Sequence, residues 1–323
     1  MIKFPKLLLT LFVLFAFVSC DDSDEQPVEN PTLAEAATDA GLTTLISAVD
    51  AVPGLLDVLQ SETAITVFAP SNEAFAAALS AFGAANLDQL VTKIGGEENL
   101  QSVLGFHVVP AVAFSKDLSA TNTFTTLAGQ DLTVKVNGST VTVTDAIGNT
   151  VNVIAADVAI DNGVVHVIDG VLLPELNLPN IVEAASAANL TVLLDAVNAA
   201  GVGPTLINAN EITVFAPTNT AFTALLAKLK LNSLQDLVGA IGVNGVQKVL
   251  GFHVVPAVAF SFDLKEGSQP VPTLAGENLT VTKSGNEVTV RDSAGNVYRV
   301  VAADVAVDNG VVHVIDGVLL PTL

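Results

Sequence analysis

Tryptophan is absent from this chain, tyrosine and cysteine occur once each, and histidine occurs four times. Lysine and arginine number 12 against 33 aspartates and glutamates, a formal charge of −21 over 323 residues. Each shortage excludes something. With Cys20 as its only cysteine the chain has no internal disulfide, so its folding rests on a hydrophobic core. A chain this acidic is repelled by nucleic acid and by anionic lipid headgroups, so neither is expected as a partner. Zinc takes three or four protein ligands, and the histidines show no HExxH spacing; no metal and no cofactor are expected. GxSxG, GxxxxGK[S/T] and a post-strand GxGxxG are all missing, and no carboxylate pair stands in a recognisable catalytic arrangement. The chain therefore reads as non-enzymatic. Aromatic platforms for stacking sugars are scarce as well: Tyr298 is the one tyrosine, and most phenylalanines fall at core spacing.

What the chain does have, it has twice. Asp161–Pro174 and Asp308–Pro321 both read DNGVVHVIDGVLLP, Gly105–Ser115 and Gly251–Ser261 both read GFHVVPAVAFS, and Thr66–Pro70 returns as Thr213–Pro217. The offsets are 147, 146 and 147 residues in constant order. A period this long is a duplicated domain, not a solenoid repeat. A module of this size buries roughly 70% of its unfolded surface and needs no staples.

The N-terminus stands apart. Lys3 and Lys6 precede the apolar run Leu7–Val18, which suits a signal-peptide core and is too short to span a membrane as a helix. Phe17-Val18-Ser19-Cys20 resembles a bacterial lipobox, with Phe17 where leucine is usual. Cys20 is thus the expected lipidation site, and the acyl chains, palmitate among them, are the expected link to the outer membrane. One chain anchors marginally, at about 0.8 kcal/mol per buried methylene, so two or more are needed. The following DDSDEQPVENPT is acidic and has little to bury, which predicts a disordered tether. It resembles the export signal that follows the lipidated cysteine in Bacteroidetes surface lipoproteins. Cleavage before Cys20 removes two lysines and no acid, taking the charge from −21 to −23. The expected organisation is a signal peptide at 1–19, a tether at 20–31, a module at 32–174, a linker at 175–179 and a module at 180–323.

Within a module the apolar period changes from about 3.6 to 2. Leu33–Leu59 is patterned as two helical segments broken at Pro53-Gly54, and Ile181–Leu206 matches it, interrupted at Gly201 and Pro204. A short buried strand, Ile65–Ala69 or Ile212–Ala216, ends at proline, and Ser71 or Thr218 then sits where an N-cap belongs. A further helical stretch leads into GFHVVP. Alternating strands follow at Asp131–Val136, Ser139–Thr144 and Thr150–Ile154, punctuated by Asn-Gly and Gly-Asn turns. A last pair, Asp157–Ile160 and Val164–Leu172, closes the module. Helices first and a sheet later predict an α+β fold.

TVFAP[ST]NxAF, GFHVVP and NGVVHVIDGVLLP, in this order and in both copies, resemble the fasciclin domain over nearly all of residues 32–323. The resemblance implies a β-wedge flanked by helices and an extracellular role in adhesion. A Tyr-His pair implicated in adhesion in some animal members maps onto Phe106-His107 and Phe252-His253, without the tyrosine hydroxyl. An Asp-Ile adhesion element maps onto Asp157-Val158 and Asp304-Val305. The plainer reading of each aspartate is a strand end beside a tight turn. His107, His166, His253 and His313 are expected as core histidines bonded to the backbone. Asp161-Asn162-Gly163 is expected as a hairpin turn, since calcium needs six or more oxygens and no EF-hand loop is present. The expected protein is a monomeric, lipid-anchored outer-membrane surface protein that binds an extracellular protein or polysaccharide without catalysis. The alternative is a glycan-binding or scaffold component of an outer-membrane polysaccharide system.

Overall fold

The computed structural model describes residues 30–322. The signal peptide, Cys20 and all but the end of the tether lie outside the described residues.

The first module opens with three short helices, α1 (Leu33–Asp39), α2 (Thr43–Asp50) and α3 (Leu55–Ser61). Two were expected. The extra break falls at Ala40–Leu42, where Gly41 turns with φ +68°. Helix α2 lacks a cap of its own. Asn72 supplies one from 28 residues away, its Oδ1 accepting from Thr44 N–H at 3.0 Å while its Nδ2 donates to Gly41 O at 2.9 Å. Asn72 therefore ties α2 to α4 (Asn72–Ala81), whose own N-cap is Ser71. Strand β1 (Ile65–Pro70) precedes α4; α5 (Leu87–Lys93) and α6 (Glu97–Phe106) follow it. Next come β2 (Val108–Val109), β3 (Thr121–Thr125), β4 (Asp131–Asn137), β5 (Thr140–Thr144), β6 (Thr150–Ile160) and β7 (Gly163–Ile168).

These strands form one sheet in the order β2-β1-β7-β6-β5-β4-β3, antiparallel except for the β1–β7 pair. Strand β1 is buried at every position, so it reads as a continuous apolar run. Ile65, Val67 and Ala69 face the helical core with Leu45, Leu59 and Leu104. Phe68 faces a second core of Phe106, Leu132, Val134, Val143 and Leu172, on the β side. The sheet therefore separates two apolar cores, with helices against one face and its own curling strands against the other.

The second module repeats the plan: α7 (Ile181–Ala187), α8 (Thr191–Ala200), α9 (Gly203–Ile207), β8 (Ile212–Pro217), α10 (Asn219–Leu229), α11 (Leu234–Phe252), β9 (Val254–Val255), β10 (Gly267–Pro272), β11 (Asn278–Ser284), β12 (Glu287–Arg291), β13 (Val297–Val307) and β14 (Gly310–Ile315). Pro204 lies in the first turn of α9, where a missing N–H costs nothing, so it starts a helix and does not interrupt one. Helix α11 kinks at Gly242, where α5 and α6 are parted by Gly95-Gly96; the copy is one residue shorter there, which explains the single offset of 146.

Two strand boundaries differ from expectation. Strand β6 is continuous from Thr150 to Ile160, with Asp157 inside it and not at its start. Strand β7 ends at Ile168, so Asp169-Gly170 lies beyond the last strand. The edge strands β3 and β10 carry no strong apolar alternation and were not foreseen.

The segment 169–180 has no regular secondary structure. Gln130 pins its middle, accepting from Glu175 N–H at 2.8 Å and donating to Glu175 O at 2.9 Å. The second module divides this job. Glu277 accepts from Thr322 N–H at 2.9 Å, and Lys248 donates to Thr322 O at 2.5 Å while pairing with Glu277. Those contacts draw the Glu277 carboxyl down to about 2.

Lys93 at the end of α5 reaches across to the second module. Its ammonium pairs with Asp263 at 2.9 Å and lies 5.1 and 5.4 Å from the ring centroids of Phe260 and Phe262, which stack on each other. Leu178 of the linker packs against Phe260, Ala306 and Val311. Lys93→Ala is expected to weaken coupling between the modules by about 1–2 kcal/mol. In calorimetry the two unfolding transitions should move apart; unchanged cooperativity would remove Lys93 from the contact.

Candidate functional site

The segments most alike between copies meet at one place. Thr66 on β1 donates its hydroxyl to Ala111 O at 2.6 Å and accepts Ala113 N–H at 2.9 Å. His166 on β7 donates Nε2–H to Ala113 O at 2.9 Å. Its Nδ1 accepts Asp157 N–H at 3.1 Å. Asp157 completes the ring by accepting both Ser115 N–H, at 2.7 Å, and the Ser115 hydroxyl. TVFAP, PAVAFS, AADV and NGVVHV thus cooperate to hold the loop at 111–115.

Asp157 holds φ +63° inside β6, at a register shift between Ala155 and Val158. It is a bulge residue, and the bulge turns its carboxylate toward Ser115. Partial burial raises the Asp157 carboxyl, but the hydrogen bonds from Ser115 and the nearby Lys116 outweigh this, so it ionises below the ordinary range. The second module repeats the arrangement: Asp304 has φ +64°, accepts Ser261 N–H at 2.6 Å and the Ser261 hydroxyl at 2.5 Å, and donates its own N–H to His313 at 3.2 Å. The copies differ in access. The Asp157 side chain is 36% exposed and that of Asp304 15%. Beside Asp304 the loop carries Phe260 and Phe262, on which Leu178 and Lys93 sit; beside Asp157 it carries Phe114 and Lys116. Val158 is half-buried and Val305 is exposed.

The other histidine of each module has a different task. His107 is the C-cap of α6, not part of a strand. It donates Nδ1–H to Val103 O at 2.7 Å and accepts Leu172 N–H on Nε2 at 2.9 Å, joining helix end to chain end across the core. His253 does the same with Val249 and Leu319. Phe106 and Phe252 are fully buried beside them. Burial lowers both imidazoles to about 4. Among the described residues no three His, Cys, Asp or Glu side chains converge as metal ligands. Asp161-Asn162-Gly163 is a turn whose Asn162 Nδ2 donates to Leu59 O and Glu62 O, closing the end of α3.

These lowered values set an acid response. An unfolded histidine titrates near 6.5 and takes up a proton that the folded site refuses, so stability falls as pH drops from about 6.5 to about 4. The loss approaches about 3 kcal/mol per module at the lower end. Burial also lowers His313, which adds to the loss in the second module. Melting curves across that window should shift steadily downward; a flat melting temperature would contradict the two buried imidazoles.

Ser115, Thr66 and Asn72 lie inside the repeated motifs, but nothing local assigns them these contacts, and the same holds for the buried Asp145 outside them, which accepts from Asn149 and from Leu173 N–H. Their one signal is identity or close similarity between the copies.

The fasciclin domain model matches residues 40–174 and 188–321, and the chain belongs to the fasciclin family. It is 28% identical over 326 residues to a fasciclin-like arabinogalactan protein of Arthroderma benhamiae, covering 96% of this chain and 69% of that one. It is 37% identical over 140 residues to Protein sll1483 of Synechocystis sp., covering 43% of this chain and 72% of that one. Among solved structures it is similar to a domain pair from the insect cell adhesion molecule fasciclin I, at 21% identity and a TM-score of 0.39, covering 88% of this chain and 98% of that one. Proteins of this family are often adhesion-related and are generally non-enzymatic.

Proposed function

We propose that this chain is a non-catalytic adhesion protein, held at the outer surface of a Gram-negative cell by acyl chains on Cys20. Its first module presents the Asp157-Val158 bulge to an extracellular partner. The observation that carries the reading is the unequal access of the two equivalent aspartates, 36% exposure for Asp157 against 15% for Asp304. Asp304 sits beside the contact between the modules, while Asp157 stays open beside Lys116. The lipobox-like sequence and the acidic segment after Cys20 support the anchor. No described helix is long and apolar enough to cross a membrane.

Two measurements test it. Cys20→Ala should move the protein from the membrane to the soluble fraction, and protease applied to intact cells should remove the wild-type protein. A membrane-bound variant or a protected wild type sinks the anchor. For the contact, Asp157→Asn should cut cell attachment to an extracellular matrix coat several-fold, and Asp304→Asn should leave it nearly unchanged. Equal loss from both, or from neither, sinks the assignment to the first module.

A further inference from the structure

Independently of the Asp157 bulge, the second module has a cleft of about 380 Å³ between α10 and the end of the β13–β14 ladder. Lys228, Asn296, Tyr298, Asp316 and Gly317 line it. It brings together the only tyrosine, an ammonium, a carboxylate and a carboxamide, with apolar lining from Leu225 and Val318.

Three differences between the copies build it. Tyr298 stands where the first module has Val151. Its ring lies directly on Gly317, where a Cβ would come within 1.8 Å of Cδ1 and 2.0 Å of Cε1. Only glycine lets the ring rest there. Arg299 stands where the first module has Asn152. Asn152 occupies both oxygens of Asp169, through its N–H and its Nδ2, each at 2.7 Å. Arg299 gives Asp316 only its backbone N–H, at 2.8 Å, and turns its guanidinium to Glu287 at 3.0 Å. The other oxygen of Asp316, a residue that lines the cleft, has no hydrogen bond among the described residues. Lys228 stands where the first module has Ala81, adding a donor at the rim. Burial and the carboxylates of Asp292 and Asp316 raise Tyr298 further above its ordinary value, so its hydroxyl remains a donor.

We propose that this cleft is a subsite for a neutral pyranose unit of a polysaccharide. The pyranose C–H face would lie against the Tyr298 ring. Its hydroxyls would donate to the free Asp316 oxygen and to Asn296 Oδ1, and accept from Lys228. A cleft of this size holds one or two sugar rings. The formal charge of −21 and the carboxylate in the cleft disfavour acidic sugars. One aromatic platform and three polar groups give weak affinity, roughly 0.1–10 mM per site.

The test is titration of the two-module protein with cellopentaose, laminaripentaose, mannopentaose and trigalacturonate, followed by calorimetry and saturation-transfer NMR. At least one neutral oligosaccharide should bind. Tyr298→Val should weaken it roughly tenfold and reduce saturation transfer to the sugar in step. Lys228→Ala should weaken it by a smaller factor. Both changes install the residue that the first module carries at that place, so melting temperatures should hold. Failure of every neutral oligosaccharide to bind, binding of trigalacturonate alone, or neutral binding unaffected by both substitutions would each overturn the proposal.

Discussion

Gly163→Ala is expected to unfold the first module and leave the second folded. A Cβ at Gly163 would lie 1.9 Å from Ile65 O, 2.8 Å from Ile65 C and 3.0 Å from Ile65 N. These are backbone atoms of the neighbouring strand β1, and no rotamer relieves them. Gly163 begins the parallel pairing of β7 with β1, whose register runs to Ile168 against Pro70. Relief means parting the two strands that separate the cores. The cost should exceed about 3 kcal/mol, a large share of the stability of one domain. Gly310→Ala is the mirror experiment, with Ile212 O at 1.8 Å. Calorimetry should lose one transition in each variant, and limited proteolysis should digest only the altered module. Gly105→Ala is the control. Its nearest contact would be Ala128 N at 3.5 Å, and alanine favours the helix it joins, so it should be neutral or mildly stabilising. A Gly163→Ala protein with both transitions intact would show that β1 and β7 are not paired as described.

The second large effect belongs to the capping histidine. His107→Leu keeps an apolar body of similar size but leaves Leu172 N–H and Val103 O without their partner inside the core. Each orphaned group costs about 1–3 kcal/mol, so the module should lose about 3–5 kcal/mol. His107→Gln, which carries a donor and an acceptor, should recover part of this loss. Urea midpoints of the three proteins measure the difference. The leucine variant should also lose most of the acid response in that module. Equal midpoints for wild type and leucine variant would mean that the bond to Leu172 contributes nothing.

Glycine and histidine differ in how visible their roles are in sequence. That residues 163 and 310 are both glycine is plain from the repeat, and a turn accounts for it. The stronger reason, a backbone lying 1.9 Å from where a Cβ would be, needs β1 in place. The two histidines of a module look equivalent in sequence, each in an apolar run. In space they use opposite tautomers, His107 donating from Nδ1 and His166 from Nε2, because a carbonyl faces a different nitrogen in each. Asp157 shows the limit most clearly. Its neighbours AADV suggest a strand beginning, and nothing local announces a left-handed residue inside a long strand. The bulge is imposed by Ser115 and His166, 42 residues before it and nine after it.

The sequence by itself determined the duplication, the α+β class, the hairpin turns and the burial of β1, because apolar period and turn chemistry are local properties. It also determined that one cysteine lies before the first module and that a single tyrosine belongs to the second. The tertiary structure decided what those residues touch. It joined β1 to β7 in parallel across nearly 100 residues of chain, gave Asn72 the cap of a distant helix, and left Asp157 more open than Asp304. It also placed Tyr298 on Gly317 beside a carboxylate with one oxygen free. These are pairings between segments far apart in the chain, fixed by which strand lies next to which, and no local pattern encodes them.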